Sequence, residues 1–545
     1  MGRCAIGLDF GTESARAVLV DTGTGRVIAA STAPYPHGVL DRALPDGGTR
    51  LPPDWALQHP ADWLAAAETL LRAMAGAAGA PADVAAIGID FTSCTVLPST
   101  ADGTPLCLLP DFAREPHAWP KLWKHHAAQP YADRINAHAA EPGGEFLALY
   151  GGKTSSEWMW AKGWQLLAEA PGALSRAAAR WIEGGDWLVW QLTGAEVRSA
   201  GQAGYKAHWQ KDSGYPPREF WRRLDPALPE LLDRLAEAPR PVGTQAGGLV
   251  PAWASRTGLR AGTPVAVAVI DAHAAVPALG VHDAGQLVMI MGTSTCHMLM
   301  DPRRLPLRGI SGVVADGILP GSFGYEAGQA SVGDIFLWFV RTAVPARYVE
   351  GVAFERLGEE AARIAPGASG LLALDWWNGC RTPLVDGQLS GAVLGLTLTT
   401  EPSEIYRALL EATAYGTRRV IDTFEAGGVP VTGIHACGGL AERNALLLQI
   451  TADVTGRPIA AARVPDASAV GAAIYAVAAA DAAPDMTDII RRMGSAERVV
   501  YRPDGAARRV YNGLYADYLE LARHFGEGGS GVMRRLHAMH RGGPA

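Results

Sequence analysis

The chain opens with short apolar runs separated by small and polar turns, a pattern that predicts strands rather than helices. CAIGLDF reads as a first strand, GTES as a turn and ARAVLVD as a second strand. After the turn DTGTG, the run RVIAASTA predicts a third. The period changes at His59-Pro60-Ala61-Asp62, where alanine and leucine recur at helical spacing to about Gly79. Val84 to Asp90 is again an apolar strand, and it ends in an acid before Thr92-Ser93-Cys94. Residues 111–240 read as mostly helical and are rich in tryptophan: Trp119, Trp123, Trp158, Trp160, Trp164, Trp181, Trp187 and Trp190. Pro264 to Ile270 predicts one more buried strand, ending at Asp271.

The opening pattern then returns. GQLVMI predicts a strand, MGTST a turn and CHMLMD a second strand. Gly11 and Gly292 lie about half the chain apart, which suggests an internal duplication. A strand near Val431–Ala436 leads into CGGLAERN, and helices are expected over Ala441–Val454 and Ala467–Ala480. The tail holds GEGGSG and ends in HRGGPA, so its last residues are expected to fray.

Composition narrows the classes. A length of 545 residues suggests two or more domains, and 48% hydrophobic with 19% charged residues excludes a largely disordered chain. Lysine plus arginine number 48 against 55 acidic residues, a net charge of −7 that does not suit a general nucleic-acid binder. Cys4, Cys94, Cys107, Cys296, Cys380 and Cys437 form no CxxC pair, and no HExxH pattern occurs. Six thiols in so long a chain read as reduced, in a cytoplasmic protein. The start MGRCAIGLDFG lacks the charged and then apolar pattern of a signal peptide. The Ala467–Ala480 run is shorter than the roughly 18 residues that span a bilayer, so no membrane partner is expected.

Several short motifs carry candidate chemistry. In DFGTES, Asp9 at a strand end suits a hydrated magnesium ion, Gly11 admits close approach of a phosphate, and Thr12 offers donors; an ordinary hairpin turn explains the same letters. Gly292-Thr293-Ser294-Thr295 supplies a second such turn, and two turns facing across a cleft would suit a nucleoside triphosphate. No GxxxxGK[ST] occurs, which disfavours the P-loop class. Cys437-Gly438-Gly439-Leu440, with Glu442 and Asn444, either receives a flat ligand or is a tight strand–helix turn. Asp271 is a general base or a helix N-cap. His273, two residues on, reads as structural. Lys206 and Glu326 are contacts for a hydroxylated substrate or surface ion-pair partners. Most of the tryptophans read as core, with one or two free to stack on a sugar.

Together these segments resemble the FGGY family of carbohydrate kinases, and within it the chain is most similar to the L-ribulokinases. LDFGTESARAVLVD, GGKTSSEWMWAK, MGTSTCHM, EAGQASVGDIFLWF, LDWWNGCRTP and ACGGLAERN carry the resemblance, from residue 8 to residue 444. It implies an α/β chain of two actin-like, ribonuclease H-like domains of the hexokinase type, flanking an ATP/sugar cleft. A division at residues 1–283 and 284–545 is expected. It also implies ATP-dependent phosphorylation of a ketopentose, most closely L-ribulose, at its C5 hydroxyl, with a place in L-arabinose use.

By the same resemblance Asp271 is the catalytic base. Ser93, Lys206 and Glu326 line the sugar site. Gly11, Thr12, Gly292 and Thr293 form the phosphate turns, and Gly438, Gly439 and Asn444 form the adenosine segment. Asp9 orients Mg²⁺ through water. A homodimer is compatible with the family. Three features depart from the expected pattern and bear on the sugar preferred: serine at position 93, Tyr205 before the lysine, and a short segment between Val344 and Leu374. An aspartate with an ordinary pKa of about 4 is a weak base for an alcohol, so Asp271 is expected to orient the hydroxyl first and take its proton late. The rivals are an FGGY kinase of D-ribulose, xylulose or a pentitol, an actin-like ATPase or chaperone, and a sugar-sensing regulator.

Overall fold

The computed structural model describes residues 3–540 apart from 236–237, 349–351 and 482–484. Of the fraying expected in HRGGPA, all but His540 lies outside the described residues. The alternating and apolar runs become β1 (Cys4–Phe10), β2 (Ser14–Asp21), β3 (Val27–Pro34) and β4 (Val84–Phe91). A small pair, β5 (Val96–Ser99) and β6 (Arg180–Glu183), comes next. β7 (Gln245–Gly248), β8 (Pro264–Ala266) and β9 (Val269–Ile270) complete the first large sheet, whose order is β3-β2-β1-β4-β8-β7 with β9 also on β4.

The second half repeats this plan. β10 (Gln286–Met291), β11 (Thr295–Asp301), β12 (Gly312–Ala315) and β13 (Phe323–Gln329) come first. The pair β14 (Leu372–Leu374) and β15 (Ala392–Leu394) stands apart. β16 (Gly433–Cys437), β17 (Ile459–Ala462) and β18 (Arg498–Tyr501) close a sheet ordered β12-β13-β11-β10-β16-β17-β18. In each half a hairpin carries the Gly-Thr turn, and its first strand runs parallel to a later one. β1 pairs antiparallel with β2 and parallel with β4, as β10 does with β11 and β16. The likeness of the two halves is therefore one of topology more than of letters.

Three expectations shift. The run Pro264–Ile270 is two strands, not one. Ile87 opposes Val265 but Asp90 opposes Val269, so one extra residue enters between them. Such a bulge re-aims the chain beyond it, and Asp271 is the next residue after β9. The helix expected over Ala441–Val454 is two helices, Gly439–Arg443 and Ala445–Thr455. They break at Asn444, whose side chain accepts the Leu447 N–H at 2.9 Å and caps the second helix. Residues 111–240 hold short helices and 3-10 turns between irregular segments, with β6 among them. Trp160, Trp164, Trp181 and Trp221 pack into a core of their own there.

One helix ties the halves together. Ala467–Ala479, from the second half, lies on β1 and β4 of the first sheet. Any side chain at Gly7 or Gly88 would collide with the carbonyl oxygens of Ala469 and Ala472. The resulting core joins Ala5, Val18, Ala86 and Val269 of one half to Val288, Met298, Val470 and Ile474 of the other. Among the described residues, no helix is long and apolar enough to cross a membrane.

Candidate active site

A cleft of about 1160 Å³ is lined from both halves. Thr12, Ser93, Lys206 and Asp271 reach it from the first half, and Gly292, Thr293 and Glu326 from the second. The structure thus brings seven of the expected site residues into one cavity. Asp9 and Gly11 sit at the β1 end of it without lining it. Gly438 lies against the strand end that leads into the second turn: it has φ 93°, and a Cβ there would stand 2.5 Å from the Met291 carbonyl oxygen, while Gly439 and Asn444 begin and end the short helix that follows it. Trp123 and Trp158 are the cleft-lining tryptophans.

The two turns occupy equivalent places but differ in length: four residues separate the paired Phe10 and Ala15, three separate Met291 and Thr295. The Gly11 N–H donates to the Ser14 carbonyl at 3.0 Å, and the Gly292 N–H to the Ser294 carbonyl at 2.9 Å. Their supports differ. The indole N–H of Trp123 donates to Thr12 Oγ1 at 3.0 Å, and Gln58 donates to the Thr12 carbonyl at 2.7 Å. Thr293 is held by backbone instead: its carbonyl accepts from Val332 at 2.8 Å and Asp334 at 3.2 Å, while Gly333 donates to Gly292 at 3.1 Å.

Asp271 is the first residue of the helix Asp271–Ala278, whose N-cap is Ile270. It is therefore not a cap, although its Oδ1 takes the neighbouring Ala272 N–H at 2.7 Å. Burial, with the nearby charge of Asp9, pushes its carboxyl up to about 7. This corrects the expectation of an ordinary carboxylate: near neutrality Asp271 is far better matched to accepting an alcohol proton.

Lys206 and Glu326 pair with each other rather than with solvent-facing partners. Lys206 Nζ, on the helix Ala200–Ala207, donates to Glu326 Oε1 at 2.9 Å and Oε2 at 3.1 Å. Both side chains are largely buried, so this ion pair joins the halves at the wall of the cleft. His273 Nε2 meets Glu326 Oε2 at 3.1 Å. Burial alone would raise the Glu326 carboxyl, but the Lys206 ammonium and His273 hold it well below the usual range. His273 is thus structural in the sense expected, and it also orients a cleft-lining carboxylate.

Asp9 and Asp90 are register partners on the parallel strands β1 and β4. Burial and the charges of Asp9 and Asp271 drive the Asp90 carboxyl well above its ordinary range. Asp9 is itself raised by burial, with Asp90 and Arg16 pulling the other way. Arg16 Nη1 stands 3.6 Å from Asp9 and is half exposed. Asp271 on the cleft wall and Asp9 at the end of β1 lie near enough to feel each other's charge, and two such carboxylates suit a hydrated hard cation held through water.

Among the described residues, the one group with direct metal-ligand spacing is His37, His59 and Asp62. Its chemistry is spent internally. His37 Nδ1 meets Asp62 Oδ1 at 2.8 Å, and His59 Nδ1 accepts the Ala61 N–H at 3.2 Å as the cap of the helix Pro60–Ala77. An imidazole accepting at Nδ1 carries its proton on Nε2 and has no lone pair left for a metal.

Sequence reasoning missed Asp90, Trp123, Gln58 and the pairing of Glu326 with His273. Asp90 had a signal, an acid ending an apolar strand. The others depend on partners far along the chain.

Residues 287–480 match the C-terminal domain of the FGGY family of carbohydrate kinases. The chain is 50% identical over 544 residues to a ribulokinase of Geobacillus thermodenitrificans, covering 97% of this chain and 96% of that one. A ribulokinase of Mycolicibacterium smegmatis is 47% identical, covering 98% and 96%. Among solved structures, xylulose kinase from Rhodospirillum rubrum aligns with a TM-score of 0.79 at 24% identity, covering 95% of this chain and 98% of that one. Plasmodium falciparum glycerol kinase with ADP aligns with a TM-score of 0.75 at 14% identity, covering 95% and 98%. These two likenesses concern the fold, which is the two-part actin-like, hexokinase-type α/β fold. With near-full-length identity at this level, the chain belongs to the FGGY family of carbohydrate kinases and is a sugar kinase.

Proposed function

We propose that this kinase transfers the γ-phosphoryl group of ATP to the C5 hydroxyl of L-ribulose, giving L-ribulose 5-phosphate, in the cytoplasm. The observation that carries the reading is Asp271: a carboxylate poised near neutrality, facing a cleft that two Gly-Thr turns enter from opposite halves. The ribulokinase relatives supply the sugar. A division into a domain of residues 1–283 and a domain of residues 284–545 belongs to the same proposal. Among the described residues the six thiols are all unpaired, which supports a reducing compartment.

Lys206 and Glu326 bind sugar hydroxyls from their two ends of opposite charge, and Ser93 faces the same region of the cleft. Asp271 accepts the proton of the attacking hydroxyl as the oxygen meets the γ-phosphorus and the bond to the β-phosphate oxygen breaks, releasing ADP. Thr12 and Thr293 position the phosphates. Gly438, Gly439 and Asn444 lie on the side of the second turn where the nucleoside would rest. Asp9, and Asp271 across from it, would hold a hydrated magnesium ion, which when bound offsets phosphate charge. Because such transition states are loose, positioning and charge carry most of the rate. The Lys206–Glu326 pair links the halves beside the base, so binding a sugar there reports directly on their spacing. Low ATP hydrolysis without sugar is expected from that arrangement.

The test is ADP release with magnesium-ATP across L-ribulose, D-ribulose, D-xylulose, L-xylulose, ribitol, L-arabitol and glycerol, with a control lacking sugar. L-ribulose is expected to give the highest kcat/KM. Preference for another polyol would keep the kinase and reassign Ser93, Lys206 and Glu326; equal release with and without every sugar would overturn the reading.

A further inference from the structure

We infer that Lys162 is a positioning residue for the sugar site: from behind the cleft its ammonium draws the carbonyls of Cys94 and Leu122 together and so fixes the loop that presents Ser93. This rests on the reading of the cleft as a sugar site. Lys162 lies on the helix Met159–Glu169 and is fully buried. Its Nζ donates to the Cys94 carbonyl at 2.6 Å and to the Leu122 carbonyl at 2.7 Å. Both partners are backbone oxygens rather than carboxylates. Burying an ammonium whose direct acceptors are uncharged is costly even with the carboxylates of Glu183 and Glu157 acting on it from farther off, and a methionine or leucine would fill the same space without that cost. What the ammonium does, and an apolar side chain cannot, is hold two separate backbone segments at a fixed distance. Burial pushes the amine down to about 8, which leaves it mostly protonated at neutral pH.

The segments it holds are the ones that matter to the cleft. Cys94 has φ 63°, a left-handed conformation that residues other than glycine rarely adopt unless their surroundings impose it. Ser93, immediately before it, lines the cleft. Leu122 precedes Trp123, whose indole N–H supports Thr12 in the first turn. The Leu122 segment is anchored independently, by the Leu122 N–H to the Ala56 carbonyl at 2.9 Å and by the Lys121 N–H to the Val96 carbonyl at 2.8 Å, so the ammonium ties the Ser93 loop to a segment that stays in place without it. A residue that acts through the Ser93 loop should govern the fit of the sugar more than the binding of nucleotide.

The experiment compares the full-length wild type with Lys162→Met, Ser93→Ala and the double variant. Initial rates are measured with L-ribulose varied at saturating ATP and with ATP varied at saturating sugar, and thermal melting is followed in parallel. Lys162→Met is expected to raise the KM for sugar about tenfold, as loss of charged hydrogen bonds at a binding loop should, while the KM for ATP changes by less than about twofold. In the Ser93→Ala background the same substitution should raise the sugar KM by less than about threefold, because the two act through one loop. If Lys162→Met does not fold, Lys162→Gln, which keeps N–H donors on a shorter stem, takes its place under the same expectations. A sugar KM unchanged in the Lys162 variant, an equal rise in both KM values, or full additivity with Ser93→Ala would each overturn the inference. Wild-type enzyme showing no sugar-stimulated ADP release would overturn the functional reading itself, so the two failures are distinguishable.

Discussion

The two Gly-Thr turns stand at the same place in each half, differ by one residue in length, and differ more in what holds them. The first leans on side chains delivered from afar, Gln58 and Trp123. The second is braced by the main chain at the start of the helix Gly333–Thr342. A duplicated plan has thus been fastened in two ways. A turn held by side chains can be loosened one substitution at a time, with little effect elsewhere. A turn held by backbone amides yields only when the backbone itself is displaced, and then the helix behind it moves too.

The largest effect should come from the residue that belongs to neither turn. Asp271→Asn is expected to lose about 10²–10⁴ in kcat while ATP, measured by titration, still binds, since both turns remain intact. Near-normal turnover in that variant would remove Asp271 from the chemistry. The wild-type pH profile tests the same group: its carboxyl, raised to about 7, acts only when deprotonated. The kcat/KM for sugar should therefore fall about tenfold per pH unit below about 7 and level off above it; a profile flat down to about pH 5 would contradict this.

Next comes the second turn. Gly333→Ala places a Cβ 2.5 Å from the Gly292 carbonyl oxygen, so the helix start or the turn must shift. Overpacking of this kind costs about 1–3 kcal/mol, and the KM for ATP should rise by about tenfold, with a lower melting temperature. The smallest effect belongs to the first turn. Trp123→Phe removes one neutral hydrogen bond, worth about 1 kcal/mol, so the KM for ATP should rise about fivefold with melting little changed. Equal losses of melting temperature in the two variants would show that the distinction between the supports has no energetic content.

Much of this is legible in the sequence because its signals are local. A strand, a Gly-Thr turn and a strand lie within about twenty residues of each other, and the letters announce them twice. Lys206, Asp271 and Glu326 stand out as candidates for the same reason, each in a short motif of its own. What the letters do not carry is mutual placement. Lys206 and Glu326, expected as separate contacts or surface partners, meet each other in the interior. The base strength of Asp271 escapes the sequence because it comes from burial and from Asp9, more than 250 residues away in the chain. Asn444 looks like a helical residue because nothing in a 3.6-residue period marks the point where one helix stops and caps the next. The one-residue bulge before Asp271 is invisible in an unbroken apolar run, yet it changes the direction of the chain at the base.

The helix Ala467–Ala479 that lies on β1 and β4 also bears on how the protein is made. A ribosome delivers the first sheet long before it delivers this helix. Until then Gly7 and Gly88 line an open groove on an apolar sheet, shaped for a backbone not yet synthesised. The first half is therefore expected not to mature as an independent unit during translation, and a nascent chain stalled before Ala467 to present a sticky surface to chaperones and proteases. Truncation after the first half should give insoluble protein, and co-expression of the second half in trans, which brings the helix Ala467–Ala479, should restore soluble protein.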